Sequence, residues 1–183
     1  PEGDEGPVGE LCSAWNDPVP THVMLDPEVV SWPSAVKAFR PDVVMGHVTA
    51  WAVTDRLVPS LGEDWVWIGV PAYDEYISAE YRLASEVLGS TGAHVYWLEG
   101  AHIRREIRPQ NHPDRIDALN ALVREATADL RYVTTVPYRD LIGANGTEQE
   151  REMRNDGVHL SDAGMSLVGE WLVEKVFVET SGC

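Results

Sequence analysis

The chain has little cysteine, little positive charge and no long apolar run. Cysteine occurs twice in 183 residues, at Cys12 and Cys183. Two thiols near opposite ends make at most one bridge if the termini meet, so no disulfide framework replaces a hydrophobic core; free thiols and pairing outside the chain stay open. Lysine and arginine total 14 against 30 aspartates and glutamates, a net charge of -16 with a pI of about 4.6. Such a surface repels phosphates, which counts against nucleic acid and anionic membranes as partners. Its simplest consequence is solubility. No uninterrupted apolar stretch approaches the ~20 residues of a membrane-spanning helix, and no signal peptide is visible. The opening Pro1-Glu2-Gly3-Asp4-Glu5-Gly6-Pro7 lacks an initiator methionine and reads as an internal or processed start, or an expression boundary.

What is present suits one globular domain: the chain is 44% hydrophobic and of single-domain length. Residues 1–10, acidic and rich in Gly and Pro, read as a flexible lead-in to a domain over 11–183. Helical periodicity appears in four places. It runs over 27–39 (Val29, Trp32, Val36, Phe39, with Pro33 in a first turn) and over 72–88 (Tyr76, Ala79, Leu83, Val87). It returns over 114–130 (Ile116, Leu119, Leu122, Ala126) and over 161–176, capped by Ser161 or Asp162. Between these helices lie apolar strand-like runs at 42–48, 94–98 and 132–136, and a further strand-like run at 65–70. The nearly continuous apolar character of 42–48 predicts a parallel strand covered on both faces. Residues 99–111 and 140–155 read as polar loops. The alternation predicts a three-layer α/β sandwich with a parallel sheet. Ligands of such sheets sit outside the carboxyl ends of the strands. The turn after Val48, the excursion after Leu98 and the loop at 156–159 should therefore converge.

That last loop carries the strongest chemical signal. Asp156-Gly157-Val158-His159-Leu160-Ser161 puts a carboxylate three residues before an imidazole, in a turn that opens a helix. The spacing lets the carboxylate orient the ring, so that His159 acts as general base and Asp156 holds its tautomer. The bland alternative is a capping or surface histidine.

The chain resembles SGNH (GDSL-type) hydrolases, and more narrowly the extracytoplasmic domain fused to membrane acyltransferase-3 proteins in actinobacteria. The resemblance rests on Arg40-Pro41-Asp42-Val43-Val44 with Trp51 and Asp55-Arg56, on Gly92-Ala93-His94-Val95, on Asn120, and on Arg154-Asn155-Asp156-Gly157-Val158-His159-Leu160-Ser161 with Gly164. It spans about Leu11 to Val176 and implies an SGNH-hydrolase or flavodoxin-like sandwich. It also implies a serine esterase or O-acyltransferase acting on O-acyl (for example acetyl) esters of cell-envelope glycans, outside the cytoplasm, with no metal or organic cofactor. The implied partners are an acylated glycan or small ester, and an N-terminal segment or membrane acyltransferase domain. Departures are plain. No Gly-Asp-Ser tripeptide occurs, so the nucleophilic serine of the family has no counterpart, and the second block is absent too. Where the family offers an oxyanion-binding asparagine, this chain has Gly46-His47-Val48-Thr49-Ala50-Trp51. The Thr49 hydroxyl or a backbone N–H is the candidate donor, and Trp51 is a candidate for stacking on a sugar or for core packing. Two accounts of the missing serine stand. Either its strand lies upstream of Pro1, so that the sheet here lacks its first strands, or the fold persists as a non-catalytic binding or scaffolding module.

Other signals are weaker. His102 and His112 share a loop without companion ligands at zinc spacing. Arg104, Arg105 and Arg108 cluster beside the expected crevice, as a solvated loop or an anion-binding one. Trp15, Trp32 and Trp97 read as core. Asn145-Gly146-Thr147 fits a glycosylation sequon and, more simply, an Asn-Gly turn. Ser13, Ser161 and Ser181 sit on no strand-to-helix elbow.

Overall fold

Three apolar segments with strand character lie side by side and fix the rest of the architecture. The computed structural model of the protein describes residues 31–48, 50–104 and 112–178, with backbone alone at 50, 51, 177 and 178. In chain order the elements are α1 (Trp32–Phe39), β1 (Val43–His47), a 3-10 turn (Ala50–Val53), β2 (Arg56–Leu57), a 3-10 turn (Pro59–Leu61) and β3 (Trp65–Val66). There follow α2 (Pro71–Gly89), β4 (His94–Leu98), α3 (Pro113–Thr127), β5 (Val133–Val136), α4 (Tyr138–Ile142), α5 (Glu148–Met153) and α6 (Asp162–Val173), which runs on into a π-helical turn (Glu174–Val178).

The main sheet is parallel, in the order β1-β4-β5. Val44 faces Val95 and Gly46 faces Trp97 in one ladder; Val95 faces Val133 in the other. Alternate residues point to opposite faces. Val95 and Trp97 enter a large core with Tyr73, Ile77, Tyr81, Ala84 and Leu88 of α2 and Ile116, Leu119 and Val123 of α3. On the other face Leu98 packs with Tyr138, Ile142, Met153 and Val168, while Tyr96 packs with Val136 and Val176. Helices therefore cover both faces, and the expected three-layer parallel α/β sandwich is the observed fold.

Several polar side chains of the large core close internal hydrogen bonds. Trp97 Nε1 donates to Ser85 Oγ at 2.8 Å, and Tyr73 donates its hydroxyl hydrogen to Ala52 O at 3.0 Å. Asn120, 1% exposed, donates to Gly100 O and accepts from Gly100 N, which ties α3 to the end of β4. Gly46 is needed for close approach: a Cβ there would lie 2.3 Å from the Trp97 ring.

Several expectations need correction. Strand β1 is not covered on both faces, since Met45 is 49% exposed and His47 is exposed too. It is an edge of the sheet among the described residues. In its parallel ladder Asp42 O and Val48 N bond to β4, so by alternation the backbone groups of Val43, Met45 and His47 point away from it. The 65–70 run forms only a two-residue pair with β2, antiparallel and separate from the main sheet. Helix α2 exists but buries Tyr73, Ile77, Tyr81, Ala84, Ser85 and Leu88 rather than the expected stripe, and Leu83 is exposed. Phe39 is 66% exposed, so in α1 Val36 is the buried residue. The 140–155 loop in fact contains most of α4 and all of α5. Trp97 is core, whereas Trp32 is only partly buried. Cys12, Cys183, Trp15, Ser13, Ser181, Arg105 and Arg108 lie outside the described residues, as does the expected lead-in over 1–10. Among the described residues no helix is long and apolar enough to cross a membrane.

Candidate active site

The loop between α5 and α6 folds locally because its sequence supplies the turn chemistry. Gly157 adopts φ +77°, which L side chains rarely tolerate. Its N–H bonds back to Arg154 O at 2.9 Å. Ser161 caps α6 by accepting from Gly164 N at 3.0 Å, and donates its hydroxyl hydrogen to Glu152 O at 2.7 Å. Ser161 N also bonds to Met153 O, so α5 and α6 meet tightly around the loop. A Cβ at Gly164 would sit 2.5 Å from Met153 O, which is why glycine stands there.

Within this frame Asp156 and His159 pair. His159 Nδ1 donates to Asp156 Oδ2 at 2.7 Å. Asp156 Oδ1 accepts from the backbone N–H of His159 at 2.7 Å and of Val158 at 2.8 Å. The imidazole hydrogen bond, then these two backbone donors, hold the Asp156 carboxyl well below the usual carboxylate range. Because Nδ1 carries the donated proton, the neutral ring presents a lone pair at Nε2. Among the described residues Nε2 has no partner, and the His159 side chain is 82% exposed. An imidazole so oriented can take a proton from a hydroxyl placed beside Nε2.

Of the three segments expected at the crevice, the excursion after β4 meets the 156–159 loop, whereas the turn after Val48 begins at Thr49, outside the described residues. Val48 N donates to Leu98 O at 2.9 Å, holding the end of β1 beside the end of β4. Arg104, in the excursion after β4, donates through Nη2 to Asn155 O at 2.7 Å. Arg154, 3% exposed, donates to His102 O at 2.7 Å and lies 3.2 Å from Glu150 Oε1. Glu150 is fully buried, and its Oε2 accepts from Gly146 N at 3.2 Å. His47, at the end of β1, meets the Tyr138 ring edge-on with centroids 5.1 Å apart. The polypeptide packed around that ring, and then the Arg154 charge, lower the His47 pKa although the residue is partly open to solvent. Burial likewise raises the Tyr138 hydroxyl.

A second charged group lies beside these. Glu99, just past β4, pairs with Arg124 and Arg139. Asp117 pairs with Arg139 and accepts from His102 Nε2 at 2.9 Å. His102 is thus engaged with a carboxylate. Asn145-Gly146 form the expected turn, closed by Thr147 N–H on Ala144 O at 3.2 Å with Gly146 at φ +80°, while the Asn145 side-chain amide reaches across to Ile103 O at 3.0 Å. Thr49 lies outside the described residues, and Trp51 is placed only by its backbone, in the 3-10 turn after β1. Sequence reading missed Glu150 and Arg154 as supports and His47 and Tyr138 as crevice residues. A signal existed for one of them: Thr147-x-x-Glu150 has capping-box spacing, and Glu150 N does bond to Thr147 Oγ1 at 3.2 Å.

The architecture is a three-layer α/β sandwich around a parallel sheet. The structure is similar to that of the lipase/acylhydrolase from Enterococcus faecalis, with a TM-score of 0.56 and 18% sequence identity. The match covers 77% of this chain and 64% of that protein, less than two thirds of its length. At this identity the likeness concerns the fold. No family model and no curated protein matches the chain by sequence.

Proposed function

We propose that the protein is a carboxylic-ester hydrolase or O-acyltransferase in which His159 shuttles the proton and Asp156 orients His159. The observation that carries this reading is the Nδ1–carboxylate bond of 2.7 Å in the loop before α6, with Nε2 directed away from its partner. The acylhydrolase-type fold supports it. The nucleophilic serine is proposed to come from a strand outside this chain, and β1, an edge of the main sheet among the described residues, is the proposed pairing site for it. That serine attacks the acyl carbonyl while His159 Nε2 accepts its hydroxyl proton. The resulting imidazolium, stabilised by Asp156, returns the proton to the leaving alcohol. Water then resolves the acyl-enzyme in an esterase, and a sugar hydroxyl resolves it in a transferase. Thr49 is the proposed oxyanion donor and Trp51 the proposed sugar platform. O-acylated glycans of the cell envelope are the proposed substrates, and the exterior of the cytoplasm the proposed setting, on the resemblance alone.

The test is hydrolysis of p-nitrophenyl acetate by the protein expressed from its complete natural reading frame. His159→Ala should lower kcat by about a thousandfold or more. An unchanged rate in a folded His159→Ala variant would remove His159 as the base. Absence of activity in the wild-type protein would favour a binding or scaffolding module.

A further inference from the structure

We propose that Arg104 is a positioning residue of the acid–base loop, one half of a reciprocal arginine clasp that holds Asp156 and His159 in working geometry. This inference rests on the reading of His159 as the base. The pair itself is open to solvent, with side-chain exposures of 82% for His159 and 56% for Asp156, so packing around it does not hold it still. A site that must stay in place to within about half an ångström needs support from its neighbours. Here the support comes from beneath. Arg104 Nη2 donates to Asn155 O at 2.7 Å and to Arg154 O at 3.4 Å, the two carbonyls that lead into Asp156. Its Nε and Cζ lie 2.2 and 2.9 Å from where a Cβ of residue 157 would stand. The guanidinium therefore fills the place of a side chain at Gly157 and touches the turn on both sides of Asp156.

Arg154 returns the grip. It donates to His102 O and, at 3.4 Å, to Asn145 Oδ1, while Asn145 Nδ2 donates to Ile103 O. Each arginine thus holds the backbone beside the other. Glu150 serves both, with Oε1 at 3.2 Å from Arg154 Nη2 and 3.9 Å from Arg104 Nε. Because Asp156 Oδ1 is anchored by the N–H groups of Val158 and His159, a shift of the 154–157 backbone moves the carboxylate and the ring together. The clasp also couples the loop to the excursion after β4, so a ligand that displaces residues 102–104 should disorder the acid–base pair.

The test compares Arg104→Met and Arg104→Lys with wild type. Two readouts are used: p-nitrophenyl acetate hydrolysis, and hydrogen exchange of individual amides. Arg104→Met should lower kcat by about 10- to 100-fold, the scale of an ångström of misplacement, with KM within about twofold. The amides of Val158 and His159 should exchange at least about tenfold faster, while those of β4 keep wild-type protection. Arg104→Lys keeps the charge beside Glu150 but not the planar fork, and should fall between the two. Unchanged exchange at Val158 and His159 in either folded variant overturns the clasp. So does a kcat loss accompanied by equal loss of protection throughout β4, which would make Arg104 a residue of global stability only. The exchange readout does not depend on turnover, so an inactive wild type would sink the esterase reading and leave the clasp to be judged on its own.

Discussion

The two faces of the sheet are held together by different physics. On the α2–α3 side, Val95 and Trp97 sit in a large apolar core, and its few polar atoms close short internal hydrogen bonds. On the α4–α6 side the apolar clusters are small, and α6 leaves Met165, Leu167 and Val173 about half exposed, at 53%, 44% and 56%. There a fully buried Glu150, the buried Arg154 and Arg104 do the joining. Apolar packing is tolerant and non-directional, whereas the hydrogen bonds these charged groups make to backbone, Arg154 to His102 O, Arg104 to Asn155 O and Gly146 N to Glu150, fix one geometry. The first face builds a scaffold, and the second fixes the position of one loop, the one that carries Asp156 and His159.

The sharpest way to break this contrast is to remove Glu150. Glu150→Ala leaves Arg154 buried without its carboxylate and should cost about 3–5 kcal/mol in urea unfolding. It should also lower p-nitrophenyl acetate turnover in the fraction that stays folded. Ile77→Ala, in the opposite core, should cost a comparable or slightly smaller amount, about 2–5 kcal/mol. Below its unfolding temperature, however, its kcat should match wild type. Equal effects of the two substitutions on kcat would erase the division between scaffold and site.

The smallest expected effect concerns Asp156. Asp156 titrates lower in the folded chain than when unfolded, so the pairing is intact above its ordinary carboxylate range. It is lost only as pH falls through the depressed folded value. Asp156 is therefore ionised across the whole range from about pH 5 to pH 9. Asp156→Asn, measured at about pH 8 where the wild-type carboxylate is ionised, should lower kcat by a smaller factor than His159→Ala. Equal losses from the two substitutions, with folding intact, would count against this division of roles.

Much of this organisation is legible in the chain, and the limits have physical causes. The strands β1, β4 and β5 are apolar runs between turn signals, and local composition suffices to find them. The Asp156–His159 pair is equally local, three residues apart across a glycine with φ +77°. The buried face of α2 is not so easily read, because apolar residues line two neighbouring stripes. The choice falls to Tyr73, whose hydroxyl reaches Ala52 O 21 residues away. Helices α4 and α5 span five and six residues, too short to display a full hydrophobic period. Arg104 lies 51 residues from the carbonyl it grips, a contact visible only once the chain has folded.

The central claim is that Asp156 and His159 act as one unit, and a double-mutant cycle tests it most directly. Turnover of p-nitrophenyl acetate would be measured for wild type, Asp156→Asn, His159→Ala and the double variant, all from the complete natural reading frame. If the carboxylate works only through the imidazole, the double variant should be no slower than His159→Ala alone. Losses that multiply would contradict the account, because each side chain would then contribute to the rate without the other.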